Sequence, residues 1–231
     1  MKLSIAVPVY EMHGKGVECL EFSFNKMLEQ TFTDFNVVIS DSSKDNKIQI
    51  LCEKWQDKLN IVYIKSPECA GSPTKNSNKV IKNCDGEWIK FLAQDDFLEY
   101  KGSLQRIVDE LDDNYNWMVT GYNHTHDRIN FEHYHYPQLN PNICVVNTIG
   151  NPSCMVIKNI DNLPEFDDNL IYCWDCDWYH QMIQRHGNPK IISDTTVGTL
   201  LGEHTITSSQ MTEEMIKTEN EYILKKYGFI K

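Results

Sequence analysis

Two adjacent carboxylates, Asp95 and Asp96, close the run Trp88-Ile89-Lys90-Phe91-Leu92-Ala93-Gln94, and no basic residue follows until Lys101. A short apolar run of this kind makes a buried strand. A strand that stops in Asp-Asp presents hard oxygen ligands suited to a divalent cation. The alternative is structural, because aspartate also caps helix N-termini. Asp41, in Ser40-Asp41-Ser42-Ser43, ends a second apolar run, where Asp-Ser-Ser is also ordinary turn chemistry. Two further groups have metal-ligand spacing. His124-x-His126 and His133-x-His135, if each lies on a strand, put both members of a pair on one face, and a hairpin would gather four imidazoles suited to Zn²⁺. The alternative for that segment is a polar, aromatic-rich loop beside a cleft. Cys173 and Cys176 form a CxxC, but no second pair completes a zinc site.

The elements that must position these residues follow from periodicity. Leu3 to Val9 reads as a strand, stopped by Pro8 and a turn over 10–16. Val17, Leu20, Phe24, Met27 and Leu28 recur at helical spacing. Phe35–Ser40 is a second strand, Ile48 to Trp55 a helix, and Asn60–Ile64 a third strand. A helix through Asn78, Val80, Ile81 and Cys84 is closed by Gly86, and the Asp-Asp strand follows. This β-α-β-α-β-α-β alternation predicts an α/β fold, a mostly parallel sheet flanked by helices. Such a sheet binds its ligand beyond the carboxyl ends of its strands, so one cleft can hold Asp41, Asp95 and Asp96. Beyond residue 100 the pattern predicts a helix over Leu104–Leu111 and a strand over Trp117–Gly121. It then predicts two strands between Asn142 and Ile157, a helix over Asp177–His186, a strand at Ile191–Ser193 and a final amphipathic helix over Met211–Tyr227. No linker or repeat interrupts the 231 residues, which read as one domain.

Composition excludes some partners. The chain carries 22 basic and 33 acidic residues, a formal net charge of −11, which argues against nucleic acid or an anionic membrane surface as the main partner. No apolar run approaches the roughly 20 residues needed to cross a bilayer. The N-terminus reads as a first strand and not as a signal peptide. The eight scattered cysteines then read as reduced thiols of a cytoplasmic protein, at most peripheral to a membrane.

Taken together in order, several of these motifs resemble a known family. Val7-Pro8-Val9-Tyr10, Ser40-Asp41-Ser42-Ser43, and Asn78 with Gly86 followed by Trp88 to Asp96 are similar to the family 2 glycosyltransferases of the GT-A fold, over roughly residues 1 to 205. That resemblance implies a nucleotide-sugar-binding half over 1–100, an acceptor-binding half over 101–205 and a C-terminal helix over 206–231. It implies a nucleotide-sugar donor, with a uridine base the commonest among relatives, and a glycan or lipid-linked acceptor. It further implies Mn²⁺ or Mg²⁺ and inversion by a single in-line displacement. By the same match Pro8, Tyr10, Glu11, Asp41, Asn78 and Asp95 face the donor, Asp96 with Asp95 holds the metal, and His204 reaches the metal or the diphosphate. Lys75 and Lys79 are further candidates for the phosphates. Tyr172 to Tyr179 resembles the segment that carries the base, with Asp177 preferred and Asp175 second. Tyr122, Tyr134, Tyr136, Trp174 and Trp178 are candidates for stacking on sugar rings. Three positions depart from the pattern. Ala93 stands where a further aspartate is usual, Glu11 where asparagine is frequent, and no glutamate precedes the candidate base. Two other classes remain open on sequence alone. A nucleotidyltransferase would carry a phosphate loop that 11–16 matches poorly, and a degenerate protein would bind sugar or nucleotide without turnover.

Overall fold

The computed structural model describes residues 1–202 and 212–230. Nine strands form one sheet in the order β3-β2-β1-β4-β8-β6-β9-β5, with β7 paired to β6. The strands are β1 Leu3–Val9, β2 Phe35–Asp41, β3 Ile61–Lys65, β4 Trp88–Phe91, β5 Phe97–Leu98, β6 Trp117–Thr125, β7 Phe131–His135, β8 Met155–Lys158 and β9 Lys190–Leu200. The helices are α1 Gly16–Leu28, α2 Lys47–Trp55, α3 Pro73–Lys82, α4 Ser103–Asp109, α5 Trp174–His186 and α6 Glu213–Lys226.

The first hundred residues follow the alternation expected of them. β3, β2, β1 and β4 are all parallel, with Val9 opposite Asp41 and Ala6 opposite Phe91. Their near-continuous burial (Ile5, Val7, Val37, Val38 and Ile39 are all fully buried) is what a sheet covered on both faces requires. Beyond β4 the sheet is mixed. β8 runs antiparallel to both β4 and β6, whereas β9 runs parallel to β6.

Three expectations need correction. Between Asn142 and Ile157 only β8 forms. The stretch before it is turned, because Asn140 Oδ1 accepts the Asn142 N–H at 2.8 Å and the Asn142 carbonyl accepts from Val145 and Val146 at 3.0 and 2.9 Å. The late strand β9 extends to Leu200, through a threonine-rich stretch without an apolar signature. It continues because Thr120 and Thr196 exchange a 2.7 Å hydrogen bond across the ladder to β6. Helix α5 begins at Trp174, one turn before the periodicity indicated.

Aromatic packing fixes α5 against the sheet. Trp117 of β6 meets Trp178 edge-on at 5.8 Å and stacks on Tyr179 at 6.0 Å. Its indole N–H donates to the Gly187 carbonyl at the helix end, and the Trp178 indole donates to Pro164. Buried aromatic groups of this size dominate core energetics and find partners for their N–H groups. All eight cysteines are free and buried, and burial pushes each thiol up.

Helix α6 secures the entry to α5 from outside the sheet. Glu219, 8% exposed, accepts the backbone N–H groups of Ile171, Tyr172 and Cys173 at 2.8, 3.0 and 2.8 Å. One carboxylate thus satisfies three donors that precede a helix, where an anion is also favoured by the helix dipole. About two turns further along α6, Lys226 and then Tyr227 reach Asp177. Glu219→Ala strands those N–H groups and is expected to cost about 2–4 kcal/mol. Urea unfolding reads the loss directly, and a loss under about 0.5 kcal/mol would mean that other contacts hold this segment.

Candidate functional site

The carboxyl ends of β1, β2 and β4 meet at one edge of the sheet. There the Val9 carbonyl accepts from the Ser42 N–H at 3.0 Å and from Asn76 Nδ2 at 3.0 Å. Gln94, 3% exposed, ties the loop after β1 to the turn after β4. Its Oε1 accepts the Tyr10 N–H at 2.9 Å and its Nε2 donates to the Gly16 carbonyl at 2.9 Å. This brings Tyr10 within electrostatic reach of Asp95, which adds to the burial that raises the phenol.

Asp96 lies beneath this turn, 4% exposed. The Ser153 and Thr199 hydroxyls hydrogen-bond to it, and Asn151 Nδ2 lies 3.4 Å from Oδ2 while also donating to Thr199 at 2.7 Å. Below them the fully buried Lys90 ammonium donates to the Ser153 carbonyl. Burial pulls that ammonium down to about 8. Burial and then the charge of Asp95 push the Asp96 carboxyl well above the usual carboxylate range, and Ser153, Thr199 and Lys90 only partly oppose this. A carboxylate so placed lacks positive charge, which a divalent cation would supply.

The second carboxylate of the site is Asp175, in the first turn of α5 and buried to 9% exposure. Asn147 Nδ2 donates to its Oδ2 at 2.8 Å and the Cys176 N–H to its Oδ1 at 2.7 Å. Burial pushes its pKa up to about 7 against these hydrogen bonds. A carboxyl group poised there can take a proton from an acceptor hydroxyl at neutral pH.

One short loop joins the two carboxylates. Asn147 Nδ2 also bonds the Gly150 carbonyl, and Asn147 Oδ1 accepts the Gly150 N–H at 2.8 Å. Tyr179 donates its hydroxyl to the Gly150 carbonyl at 2.9 Å, and Asn151 continues to Asp96. Gly150 has φ 123°, and a Cβ there would lie 2.5 Å from the Tyr122 ring, so only glycine fits.

The remaining candidates fall in different places. Pro8 sits at the end of β1, level with Ser40, and the Glu11 carbonyl closes the turn that starts α1. Asp41 is fully buried. It accepts from the Ser43 N–H at 2.8 Å, the Tyr63 hydroxyl at 2.6 Å and Lys65 at 3.0 Å. Asn78 turns away from the strand ends, with both amide atoms bonded to the backbone of Phe166 at 2.9 and 2.8 Å. Asn76, two residues earlier, is the asparagine at the cleft, and its buried Oδ1 has no partner among the described residues. Lys75 pairs with Asp168 at 3.7 Å and Lys79 with Glu68 at 3.3 Å. His204 lies outside the described residues.

The two candidate bases, Asp177 and Asp175, lie in different surroundings. Asp177 is fully buried on the far side of α5, bonded to Lys226 at 2.9 Å, Tyr227 at 2.7 Å and Gln181 at 2.9 Å. Three of its carboxylate's four hydrogen bonds go to Lys226 and Tyr227 at the end of α6, and the fourth to Gln181 on α5 itself. The histidine hairpin forms, but its imidazoles do not converge. His124 bonds the His133 carbonyl, His126 pairs with Glu132, and His135 bonds the Ile149 carbonyl. Among the described residues no group of three or more His, Cys, Asp and Glu side chains could enclose a metal. Asn76, Asn147, Asn151, Ser153 and Thr199 have no spacing signal, since distant segments bring them together.

The donor set at Asp96 fits Mn²⁺ or Mg²⁺. It offers two carboxylates, hard oxygens, beside the amide of Asn151, whose buried Oδ1 has no partner among the described residues. The protein supplies only part of a shell, which suits a cation shared with a phosphate ligand.

The model of the family described as "Glycosyl transferase family 2" matches residues 4–187. The chain is similar to poly(ribitol-phosphate) beta-N-acetylglucosaminyltransferase TarS of Staphylococcus aureus, 35% identical over 101 residues, which are 42% of this chain and 17% of that protein. It is 31% identical over 106 residues to poly(ribitol-phosphate) beta-glucosyltransferase of Bacillus spizizenii, covering 46% of this chain and 16% of that protein. The match therefore spans about a sixth of these relatives' length. The crystal structure of S. aureus TarS 1-349 in complex with UDP-GlcNAc superposes with a TM-score of 0.73 at 22% identity, over 98% of this chain and 71% of that one. At that identity the likeness is one of fold.

The two α5 carboxylates are expected to respond oppositely to amidation. The fold raises Asp175 from 3.8 to about 7, so its stabilising contribution is full below the unfolded value and is lost as pH rises through about 7. Asp175→Asn cannot ionise and should gain on the parent between pH 6 and 8, by about 1–3 kcal/mol. Asp177→Asn should instead lose about 1–3 kcal/mol by leaving Lys226 poorly paired. Thermal unfolding across pH checks both, and parallel pH profiles for Asp175→Asn and the parent would remove the burial assignment.

Proposed function

The chain belongs to glycosyl transferase family 2, and on that premise we propose that it moves a sugar from a UDP donor to a hydroxyl of a glycan or lipid-linked acceptor, with inversion. The observation that carries this reading is the loop 147–151, which ties the cation-type carboxylate Asp96 to the base-type carboxylate Asp175. A single displacement needs both at once, one beside the leaving diphosphate and one beside the incoming hydroxyl.

In this reading Asp175 accepts the acceptor hydroxyl's proton as its oxygen attacks the anomeric carbon. Asn147 holds the carboxylate in the orientation that reaches the hydroxyl. Asp96 and Asp95, with Asn151, would hold Mn²⁺ or Mg²⁺, which when bound would neutralise charge developing on the diphosphate. Ser153 and Thr199 keep Asp96 in place, and Lys90 beneath them contributes a buried positive charge. Tyr10, Pro8 and Glu11 lie beside the donor, with Asp41 fixing the loop that flanks its base. A UDP donor is supported by the UDP-GlcNAc held in the TarS structure. Nothing in the geometry favours a nucleotidyltransferase.

UDP with Mn²⁺ should raise the unfolding midpoint, and UDP at about 100 times its dissociation constant stabilises by roughly 2.7 kcal/mol. Asp96→Asn should remove the Mn²⁺-dependent part of that shift, and an unchanged shift would end the metal assignment. The kcat/KM for transfer should rise with pH through about 7, the value of the free Asp175. Asn147→Ala, which deletes a hydrogen bond to the charged form, should move that limb to higher pH. A limb that stays in place in this variant would show that another group is the base.

A further inference from the structure

An open groove of about 340 Å³ lies beside Asp175, lined by Tyr134, His135, Tyr136, Gln138, Asn147 and Thr148. Its two walls are tied together. The Gln138 N–H donates to the Thr148 carbonyl at 2.8 Å, and the Thr148 hydroxyl donates to the Gln138 carbonyl at 2.7 Å. His135 is fixed between Tyr122, stacked at 4.9 Å, and the Ile149 carbonyl, 3.1 Å away. Tyr134 and Tyr136 are left 58% and 51% exposed. The groove therefore presents two aromatic rings, the Gln138 carboxamide and the accepting side of the Thr148 hydroxyl oxygen, on a backbone that is braced.

We propose that this groove seats the acceptor and that the unit it seats is an uncharged sugar ring, not a phosphate. The inference rests on the glycosyltransferase reading and adds the acceptor's chemical class to it. Three observations carry it. Asn147 lines the groove and is bonded to Asp175, so a ring in the groove has its edge next to the base. Exposed tyrosines offer flat apolar faces for the C–H face of a sugar ring, and the Gln138 amide with the Thr148 hydroxyl oxygen suits its hydroxyls. Among the described residues no lysine or arginine lines the groove, so a phosphodiester there would meet no ammonium or guanidinium, in a chain whose net charge is already −11. This would separate the chain from the two relatives described above, whose names specify poly(ribitol-phosphate).

Saturation-transfer NMR on the full chain with UDP and Mg²⁺ tests it. The probes are the methyl β-glycosides of glucose, galactose and N-acetylglucosamine, and a ribitol-phosphate oligomer. At least one glycoside should take up saturation at its ring C–H protons. Its affinity should fall about tenfold or more in Tyr134→Ala and in Tyr136→Ala, and survive in the phenylalanine variants. The midpoint shift with UDP should be the same in all four variants, which also shows that they fold. Glycoside binding indifferent to both alanine variants, no glycoside binding at all, or tighter salt-dependent binding of the ribitol-phosphate oligomer would each overturn the proposal. Absence of any UDP shift in the parent, with glycoside binding intact and tyrosine-dependent, would sink the glycosyltransferase reading and leave the groove standing as a sugar site.

Discussion

Two buried carboxylates held a loop apart are the constraint on which this structure turns. Ionised carboxylates are costly to bury unless charge or hydrogen bonds compensate them. Asp96 and Asp175 are compensated only in part, since burial outweighs their partners and raises both. Much of the surrounding architecture serves to hold them there. Trp117 and Tyr179 seat α5 on the sheet, Tyr179 braces Gly150, and the hydroxyls of Ser153 and Thr199 meet Asp96 from β9 and from the turn before β8. Strain of this kind is normally retained where a ligand relieves it.

The parallel half of the sheet was legible because its strands are buried on both faces and carry continuous β-branched runs. The position of Asp95 and Asp96 followed from the same signal, since an apolar run fixes where a strand ends. The choice between Asp175 and Asp177 did not. Residues two apart on a helix point about 200° away from each other, so one faces the cleft and the other its opposite side. Which is which depends on Lys226 and Tyr227, some fifty residues later, and periodicity carries no such information. Asn76 and Asn78 present the same ambiguity on α3. The threonine-rich end of β9 was missed for a different reason: it is held by hydroxyl hydrogen bonds within the sheet, and threonine there scores as polar.

The C-terminal helix has a role that its amphipathic pattern understated. Its apolar face is small, with Ile223 its one fully buried residue, and its attachment is mainly ionic and polar. Glu219 gathers the amides ahead of α5, and Lys226 and Tyr227 close on Asp177. Both contacts act on the helix that carries Asp175, one just before it and one a half-turn after. The helix thus sets the pitch and entry of α5 as a buttress sets a wall, and the carboxylate that faces the cleft inherits that alignment.

The eight buried thiols make the molecule a reporter of its own opening. They are spread from α1 and α2 through the turn before α3, the strand junctions and α5. Only the thiolate reacts readily, and burial disfavours it at each of these positions. An alkylating reagent therefore modifies a given cysteine only when its surroundings come apart, at a rate set by the free energy of that local event. Mass spectrometry of the labelled chain would rank those events by element. Cys52 reports on the parallel half, Cys154 on the turn beside Asp96, and Cys173 on the grip of the last helix.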